Sequence, residues 1–252
     1  MSWRERVAGI SVLAVVPARG GSKGIPGKNL RVVGGQSLVG RVARLASSLA
    51  WIDRAILSTD DAQIAAEGVR HGLDVPFLRP AELASDTASS ADMWRHAWLA
   101  AEAHFGTHFD VSLLLEPTSP LRTADDLEAT MDTLVAGGHR TAATVSPNPA
   151  HFTPHKCLTV SDGRIGFYLP DGARFSTRQF IPDAYYHRNG LCYAASRAAL
   201  VEDGEIIGDD CAAVVVDRPL VNIDEPFELE LAEWLLERQQ GEQQELPIAH
   251  RA

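Results

Sequence analysis

Cysteine is scarce in this sequence, and the few cysteines present are far apart. There are three in 252 residues, Cys157, Cys192 and Cys211, and no two of them form a Cys-x-x-Cys pair. An odd number of widely spaced cysteines argues against a disulfide framework and against a structural zinc site. Because free thiols fit a reducing compartment, the sequence favours a cytoplasmic protein.

Long apolar runs and an excess of positive charge are also missing. No apolar stretch approaches the roughly 20 residues that a membrane-spanning helix needs. The first apolar run, 12–16, has the length of a strand and leads into Arg19, so no signal peptide is expected. Lys and Arg total 23 against 33 Asp and Glu, a net charge of −10. This balance argues against nucleic acid or an anionic membrane as the main partner, although a few local cations can still hold a small anionic substrate.

Strand-like and helix-like segments alternate over the first part of the chain. Helices with N-caps at Ser37 and Thr123 follow apolar runs rich in β-branched residues. The predicted strands are 10–18, 54–58, 111–115 and 141–146. The alternation predicts an α/β fold with a doubly wound, mostly parallel, Rossmann-like sheet. In such a sheet the ligand site lies at the carboxyl ends of the strands.

The alternation stops after Pro147 and resumes near Gly190 with strands at 190–194 and 212–216 and a helix at 226–239. The segment between is rich in Pro, His, Gly and aromatic residues and is too long for an ordinary connection. We therefore expect a single domain over 1–252 with an inserted β-rich segment at approximately 147–187. Exposed aromatic side chains need cover by another chain, which predicts a homodimer arm and a lid. The aromatic residues concerned are Phe152, Phe167, Tyr168, Phe175 and Phe180.

The stretch 17–29, PARGGSKGIPGKN, follows the first predicted strand and combines four glycines with three cations. Glycines let the backbone approach a phosphate closely, and the cations neutralise its charge. The stretch is not a Walker A loop, because Ser22 stands five positions before Gly27 and Lys28 is followed by Asn29. It also lacks the Gly-x-Gly of a Rossmann dinucleotide loop. A phosphate-binding loop is predicted, with a flexible glycine turn carrying solvated lysines as the alternative.

Six ordered blocks of the chain together resemble one known family. The blocks are 17–29, 57–61 (LSTDD), 79–90 (RPAELA and DTASS), 114–122 (LLEPTSPLR), 189–190 (NG) and 222–224 (NID). In them the chain resembles the acylneuraminate cytidylyltransferases, the CMP-sialic acid synthetases, over nearly its full length. The resemblance implies a nucleotidyltransferase that transfers CMP from CTP to the anomeric hydroxyl of a nonulosonic, sialic-type acid. Pyrophosphate is released, and the product serves the biosynthesis of surface polysaccharides.

The resemblance assigns the CTP side of the site to the early blocks. Triphosphate binding falls on the glycine-rich loop, at Arg19, Gly20, Gly21, Ser22, Lys23 and Lys28. Asn29 is expected to orient the loop or a ribose hydroxyl. Arg79 matches the cytosine pocket, together with the turn that contains Ala88 and Ser90. The alternatives are a surface salt bridge for Arg79 and a helix N-cap for Ser89 or Ser90.

The resemblance places the acidic sugar beyond the α-phosphate. The residues assigned to it are Glu116, Pro117, Thr118, Ser119, Lys156, Arg178, Asn189, and either His187 or Arg188. The family usually has Gln where this chain has Glu116. A carboxylate there repels an acidic sugar unless it faces a hydroxyl, an amide or a metal ion. Each cation has a solvated surface charge as its alternative.

The resemblance also implies Mg²⁺, with Asp224 and Asn222 as its protein ligands. The family motif is Asp-x-Asp, and this chain has Asn222-Ile223-Asp224; an amide oxygen can bind a hard cation but adds no charge. Asp224 is expected to end a strand, and its alternative role is the N-cap of a helix that begins at Pro226. The expected catalytic residues are Lys23, Arg19 and Asp224. Since no histidine has a spacing that marks it as the general base, metal-assisted deprotonation is expected.

Two other functions compete with this interpretation. One is a cytidylyltransferase for another acid, such as a phosphonate or an eight-carbon ulosonic acid. The other is a non-catalytic nucleotide-binding protein, for which Glu116 and Asn222 are signs of decay. The expected partners are CTP and an acidic sugar, without nucleic acid or membrane.

Overall fold

The structure of the protein, a computed structural model, describes residues 3–175, 177, 181 and 184–245. The predicted sugar-binding residue Arg178 and the predicted interface residue Phe180 lie outside the described residues.

Helices and strands alternate over the first part of the described chain, as far as residue 147. The helices are α1 (Trp3–Arg6), α2 (Leu38–Ser48), α3 (Ala62–Arg70), α4 (Ser90–Phe105), α5 (Ala124–Gly137) and α6 (Pro226–Glu245). The strands are β1 (Val12–Pro17), β2 (Val32–Val33), β3 (Gln36–Ser37), β4 (Arg54–Ser58), β5 (Val111–Leu114), β6 (Thr141–Pro147), β7 (Leu158–Ser161), β8 (Arg164–Phe167), β9 (Tyr186–Ser196) and β10 (Cys211–Val215). Most of these bounds agree with the predicted ones within two residues.

Six of the strands form one sheet in the order β10-β6-β9-β5-β1-β4. Strand β1 lies next to the edge strand β4 and pairs in parallel with β4 and with β5. Strand β9 pairs with β5 in the antiparallel direction. The prediction of a doubly wound, mostly parallel α/β sheet is therefore confirmed, with β9 as an antiparallel member.

Both faces of this sheet are covered by helices. Side chains alternate along β1, so Val12, Ala14 and Val16 join one apolar cluster while Leu13 and Val15 join another. The first cluster contains buried residues of α2, α3 and α5, and the second contains those of α4. Burial on both faces explains why the parallel strands read as continuous apolar runs.

Local sequence signals explain where the helices begin. The Ser37 hydroxyl accepts a hydrogen bond from the Gly40 amide at 3.0 Å, as expected of an N-cap. Thr123 and Asp126 form a reciprocal capping box at the start of α5. These caps satisfy backbone N–H groups that the first helical turn leaves without a helical partner.

Contacts divide the chain into a larger and a smaller unit. The larger contains the residues up to Thr144, Asn189–Val214 and the residues from Pro219 onward; the smaller contains Val145–Arg188 and Val215–Arg218. In the smaller unit β7 and β8 form an antiparallel hairpin. That this segment is a dimerisation and lid insert within a single domain stays a prediction.

Candidate active site

Three strands end at the same edge of the sheet, where ligands bind in folds of this kind. Strand β1 ends at Pro17 and continues into the glycine-rich loop, while β4 ends at Ser58 and β5 at Leu114. Because β1 is parallel to both neighbours, the segments that follow these three ends lie close together.

A cavity of about 590 Å³ opens at this edge, and all of its lining residues belong to the larger unit. It contains most of the residues that the sequence assigns to nucleotide, together with several assigned to sugar and metal. Those lining it are Arg19, Ser22, Lys23, Lys28, Asn29, Arg79, Ala88, Ser90, Glu116, Pro117, Thr118, Asn222 and Asp224. Gly20 and Gly21 belong to the same loop but are not among the lining residues.

The glycine-rich loop is fastened at several points. Ile25 is buried in a third apolar cluster that also contains Ile223. Gly24 permits a close approach here, because a Cβ on it would stand 2.5 Å from the backbone oxygen of Asp224. Asn29 is buried and donates its amide N–H to the Arg19 carbonyl at 2.9 Å, so it orients the loop. These contacts hold the loop in one conformation, which disfavours the alternative of a flexible glycine turn.

The loop cations are paired with carboxylates. Asp86 lies 3.0 Å from an Arg19 nitrogen and 2.5 Å from the Lys23 Nζ. The ammonium of Lys23 and the guanidinium of Arg19 hold the pKa of Asp86 below its usual range. Lys28 donates to the Asp224 carboxylate and to the Ile223 carbonyl, both at 2.8 Å. A bound polyphosphate would have to take the place of Asp86 beside two of these cations.

Arg79 is only 7% exposed, which excludes the surface salt bridge that was its alternative. Its Nε donates to the Ser58 hydroxyl at 3.0 Å, and its Nη2 donates to the Ser58 carbonyl. Burial lowers the pKa of Arg79 to about 10, which still leaves it charged at neutral pH. The guanidinium has five N–H groups, so these contacts leave donors that can read a base edge in the cavity.

The turn at 88–90 serves two structural purposes. Ser89 is the N-cap of α4, and its hydroxyl accepts from the Ala91 amide at 3.1 Å. Ser90 is the first residue of that helix, and both it and Ala88 line the cavity. The N-cap alternative is correct for Ser89, and the N-terminus of α4 lies at the cavity.

Two cavity-lining residues, Glu116 and Asn222, lie beside Gly190, whose φ is 71°. A Cβ on this glycine would stand 2.6 Å from Glu116 Oε2, 2.7 Å from Ser119 Oγ and 2.9 Å from Asn222 Nδ2. Arg122 joins the two segments by hydrogen bonds, because its guanidinium donates to the carbonyls of Glu116 at 2.6 Å and Gly190 at 2.9 Å. Glycine is required here both for its positive φ and for the space.

Oxygen ligands suited to a hard cation lie in this cavity. Asn222 Oδ1 is buried and accepts no hydrogen bond from the described residues, while the carboxylates of Glu116 and Asp224 line the same cavity. Among the described residues no group of three or more His, Cys, Asp or Glu is arranged as a metal site. One or two carboxylates with an amide oxygen fit Mg²⁺, which keeps water and phosphate ligands.

The alternative role of Asp224 as a helix N-cap receives no support. The segment before α6 is not a strand, contrary to the prediction, because its backbone contact there is a single hydrogen bond from Ile223 to Thr118. The amides of Asp224 and Glu225 both donate to the Glu228 carboxylate, at 2.6 and 2.8 Å. Glu228 therefore satisfies the amides at the helix start, and the Asp224 side chain is directed to Lys28.

The other described residues that were predicted to bind the sugar do not line the cavity. Asn189 is buried, and its Oδ1 accepts from Thr144 at 2.6 Å. Ser119 is also buried and donates to the Asn189 carbonyl at 3.0 Å. Lys156, His187 and Arg188 belong to the smaller unit, where the His187 ring contacts Asn148. Sugar binding by these residues stays a prediction.

Two residues that hold parts of the site together, Asp86 and Arg122, were not identified from the sequence. Both lie inside matched blocks, at 79–90 and 114–122, so their positions were visible. Their partners were not, because Arg19 is 67 residues from Asp86 along the chain and Gly190 is 68 from Arg122. A contact of that kind has no local sequence signal.

A sequence profile described as Cytidylyltransferase matches residues 13–180 of this chain. The chain belongs to the cytidylyltransferase family. The matched region includes the glycine-rich loop, Arg79 and the segment after β5, so it contains most of the cavity of this family member. The resemblance found in the sequence is thus confirmed.

Curated relatives of this family member match it over most of its length. Post-translational flagellin modification protein B of Campylobacter coli is 28% identical over 89% of this chain and 94% of its own. CMP-N,N'-diacetyllegionaminic acid synthase of Legionella pneumophila is 29% identical over 91% and 97%. N-acylneuraminate cytidylyltransferase of Escherichia coli is 26% identical over 88% of this chain and 51% of its own.

Solved structures support the fold of this family member. CMP:2-keto-3-deoxy-manno-octonic acid synthetase, in complex with CTP, has a TM-score of 0.66 at 18% identity and covers 91% of this chain. The 4-diphosphocytidyl-2C-methyl-D-erythritol synthase of Anaerococcus prevotii has a TM-score of 0.64 at 13% identity and covers 93%. In the described part of the chain no helix is long and apolar enough to cross a membrane.

Proposed function

We propose that this chain transfers CMP from CTP to the anomeric hydroxyl of a nonulosonic acid and releases pyrophosphate. The observation that carries the proposal is the cavity at the carboxyl ends of β1, β4 and β5, which is lined by three loop cations and by Arg79. Family membership and the activities after which the relatives are named agree with it. We place the reaction in the cytoplasm, as a step toward surface polysaccharides.

The loop cations would hold the triphosphate. Arg19 and Lys23 already converge on one anionic group, the Asp86 carboxylate, which marks a place where phosphate oxygens can lie. Displaced from Asp86, the two cations would neutralise charge on the pyrophosphate that leaves. Stabilising developing charge with fixed groups is the main protein contribution to phosphoryl transfer.

Mg²⁺ is the cofactor that we propose for this site, with Asp224 and Asn222 as protein ligands. When bound, it supplies charge to the α-phosphate oxygens and lowers the pKa of the attacking hydroxyl. The chain's own residues hold its ligands in place. Lys28 bonds the Asp224 carboxylate, and the burial of Ile223 between the two ligand positions fixes the segment.

Arg79 is the residue that we propose for base recognition, supported by its burial and its contacts with Ser58. A pocket that hydrogen-bonds one base edge leaves its own polar groups unpaired with the wrong base, at a cost of about 1–3 kcal/mol for each. CTP should therefore be strongly preferred over ATP, GTP and UTP. Equal turnover with any purine nucleotide contradicts a cytidine pocket.

The smaller unit supplies, in this proposal, a homodimer contact and a partner arm that helps to close the sugar site. Leu158 and Val160 point to the same face of the β7–β8 hairpin and pair with Phe167 and Ile165. All four are exposed, Val160 at 73% and Ile165 at 72%. An apolar face of this kind is typical of a surface that another chain covers.

The test is pyrophosphate release from CTP with a panel of acids. The panel contains N-acetylneuraminic, legionaminic, pseudaminic and deaminated neuraminic acids, an eight-carbon ulosonic acid and a phosphonate, with an acid-free blank. Release with at least one nine-carbon acid is the expected result. Release with the eight-carbon acid or the phosphonate alone would assign the chain to another branch, and no release with any acid would contradict catalysis.

A further inference from the structure

A second cavity lies between helix α2 and the segment that follows β5. Its volume is about 370 Å³, and all of its lining residues belong to the larger unit. Arg41 and Arg44 line it on the α2 side, and Pro117, Ser119 and Arg122 line it on the other. Pro117 also lines the cavity at the carboxyl ends of β1, β4 and β5, here called the nucleotide cavity. The two cavities are therefore neighbours.

The lining of the second cavity carries charge of one sign. It contains three arginines, Arg41, Arg44 and Arg122, and no aspartate or glutamate. Arg41 and Arg44 are three positions apart on α2, so their side chains are neighbours on the helix surface and repel each other. In a chain whose net charge is −10, three cations around one cavity without an acidic lining residue indicate an attraction for anions.

Carboxylates act on these guanidiniums only from a distance. Among the described residues none of the three arginines forms an ion pair with an acidic side chain. Glu233 interacts electrostatically with Arg41 but lies outside the lining, and Glu116 and Asp126 act in the same way on Arg122. The nucleotide cavity is different, because each of its loop cations is paired with a carboxylate.

Backbone carbonyls hold two of the guanidiniums in place. The Arg41 Nη2 donates to the Val33 carbonyl at 2.7 Å and to the Gly34 carbonyl at 3.3 Å. Arg122 donates from its Nε and Nη2 to backbone carbonyls as well. Carbonyl groups orient a guanidinium without neutralising its charge, so both side chains are fixed cations.

The Nε of Arg41 is a donor that these contacts leave over. It is buried and donates no hydrogen bond within the described residues. Burying an N–H group without an acceptor is costly, which favours a ligand that brings one. A phosphate group fits this set of donors, since it offers several anionic oxygens and the planar guanidinium can bind two of them through parallel N–H groups.

We propose that the cavity lined by Arg41, Arg44 and Arg122 is a second anion site, which binds a phosphate group of a small molecule. The pyrophosphate released in the proposed reaction and free inorganic phosphate both carry this chemistry. Occupancy would bear on the nucleotide cavity in two ways, since Pro117 lines both cavities and Arg122 bonds the Glu116 carbonyl.

The experiment titrates the full chain with inorganic pyrophosphate, and separately with inorganic phosphate, in the absence of nucleotide, sugar and Mg²⁺. Proton–nitrogen NMR spectra follow the Nε–H resonance of Arg41, which is assigned by its loss in Arg41→Lys. Arg44→Gln removes an exposed cation of the cavity. Arg95→Gln, which changes an exposed arginine of α4 outside both cavities, is the matched control.

Pyrophosphate should shift the Arg41 Nε–H resonance in a saturable way, because the proton gains an acceptor. Arg44→Gln should raise the dissociation constant by about fivefold or more, the scale of losing one hydrogen bond to a charged group. Arg95→Gln should match wild type. Tighter binding of pyrophosphate than of phosphate assigns the site to the reaction product, and equal binding assigns it to single phosphate groups. If Arg41→Lys does not fold, the Nε–H resonance of Arg44, assigned by its loss in Arg44→Gln, reports the same binding.

No shift with either anion at about 10 mM would overturn the proposal, since even millimolar affinity would be visible at that concentration. An unchanged dissociation constant in Arg44→Gln would overturn it too, because the shift would then be transmitted from pyrophosphate bound at the glycine-rich loop. An equal shift with sodium chloride at matched ionic strength would make it a general effect of salt. Failure of the proposed function leaves the result untouched, because neither CTP nor a sugar enters the experiment.

Discussion

The two units of the chain present opposite kinds of surface. In the larger unit the cavity is lined by charged and polar groups, and the loop cations are met by carboxylates of the same unit. In the smaller unit the β7–β8 hairpin presents apolar side chains to solvent. The first region supplies its own partners for charge, whereas the second leaves apolar area uncovered.

This difference separates what one chain can do alone from what it needs a partner for. The loop cations Arg19, Lys23 and Lys28 are paired with carboxylates of the same unit, so this surface needs no second chain to balance its charge. The exposed apolar side chains of the hairpin have no partner surface in the described part of the same unit, and burying them requires another chain. We therefore expect CTP binding to be a property of the single chain and the complete reaction to require the assembled form.

The largest effect should come from removing the charge of Asp224. Asp224→Asn should lower kcat by about three orders of magnitude, the scale of losing a principal stabiliser of transition-state charge. CTP should still bind through the glycine-rich loop. The loss of kcat is measured from initial rates over a Mg²⁺ titration. The control is Glu230→Gln, which changes an exposed carboxylate of α6 outside the cavity lining. Because Asn caps a helix about as well as Asp, a silent variant would return Asp224 to a capping role.

Removal of one loop cation should have the next largest effect. Lys23→Ala should reduce kcat by about two to three orders of magnitude, since Lys23 would no longer neutralise the leaving pyrophosphate. The fold should survive because the Lys23 side chain is 78% exposed. Arg95→Ala removes an exposed cation of α4 outside the cavity and should behave as wild type. A fully active Lys23→Ala would make Lys23 a solvated surface charge.

The apolar hairpin face should control assembly. Changing Val160 and Ile165 together to Ser should raise the dimer dissociation constant at least about 10-fold, because burying one such side chain is worth about 1.5–3 kcal/mol. Thr159→Ser, on the other face of β7, is the control. Sedimentation velocity at micromolar concentration gives the result. A wild-type chain that is monomeric and fully active under those conditions would contradict the expected dimer.

The smallest effect concerns Asp86, whose carboxylate forms ion pairs with Arg19 and Lys23. Asp86→Asn should lower the dissociation constant for CTP by about two- to fivefold, since an exposed ion pair contributes little free energy and the nucleotide would no longer have to displace it. Calorimetric titration with CTP measures this, and the gain should shrink at high salt. Weaker CTP binding in the variant would mean that Asp86 contacts the nucleotide complex itself.

The sheet could be predicted from the sequence because its signals are local. The run before Pro17 and the capping box of Thr123 with Asp126 each lie within a few residues. The antiparallel direction of β9 was not predicted, because strand direction depends on connections that composition does not reveal. The strand expected before Pro226 was wrong, since an apolar extended segment becomes a strand only where a neighbour pairs with it.

The candidate site was predictable as a set of blocks but not as a set of contacts. The glycine-rich loop, Arg79 and Asp224 could be assigned by motif, and all line one cavity. Asp86 pairs with the loop, and Glu116 and Asn222 both lie beside Gly190. In each case the residues are far apart in the chain. Such contacts arise from the topology of the sheet, so no single segment encodes them.

The most direct test of the central claim follows one oxygen atom. A nine-carbon acid that the chain accepts is labelled with ¹⁸O at its anomeric hydroxyl and incubated with CTP and Mg²⁺, and the products are analysed by mass spectrometry. If the hydroxyl attacks the α-phosphorus, the label should be found in the CMP-sugar and the pyrophosphate should be unlabelled. Unlabelled CMP-sugar, or CTP that is cleaved without any CMP-sugar, would contradict CMP transfer at this site.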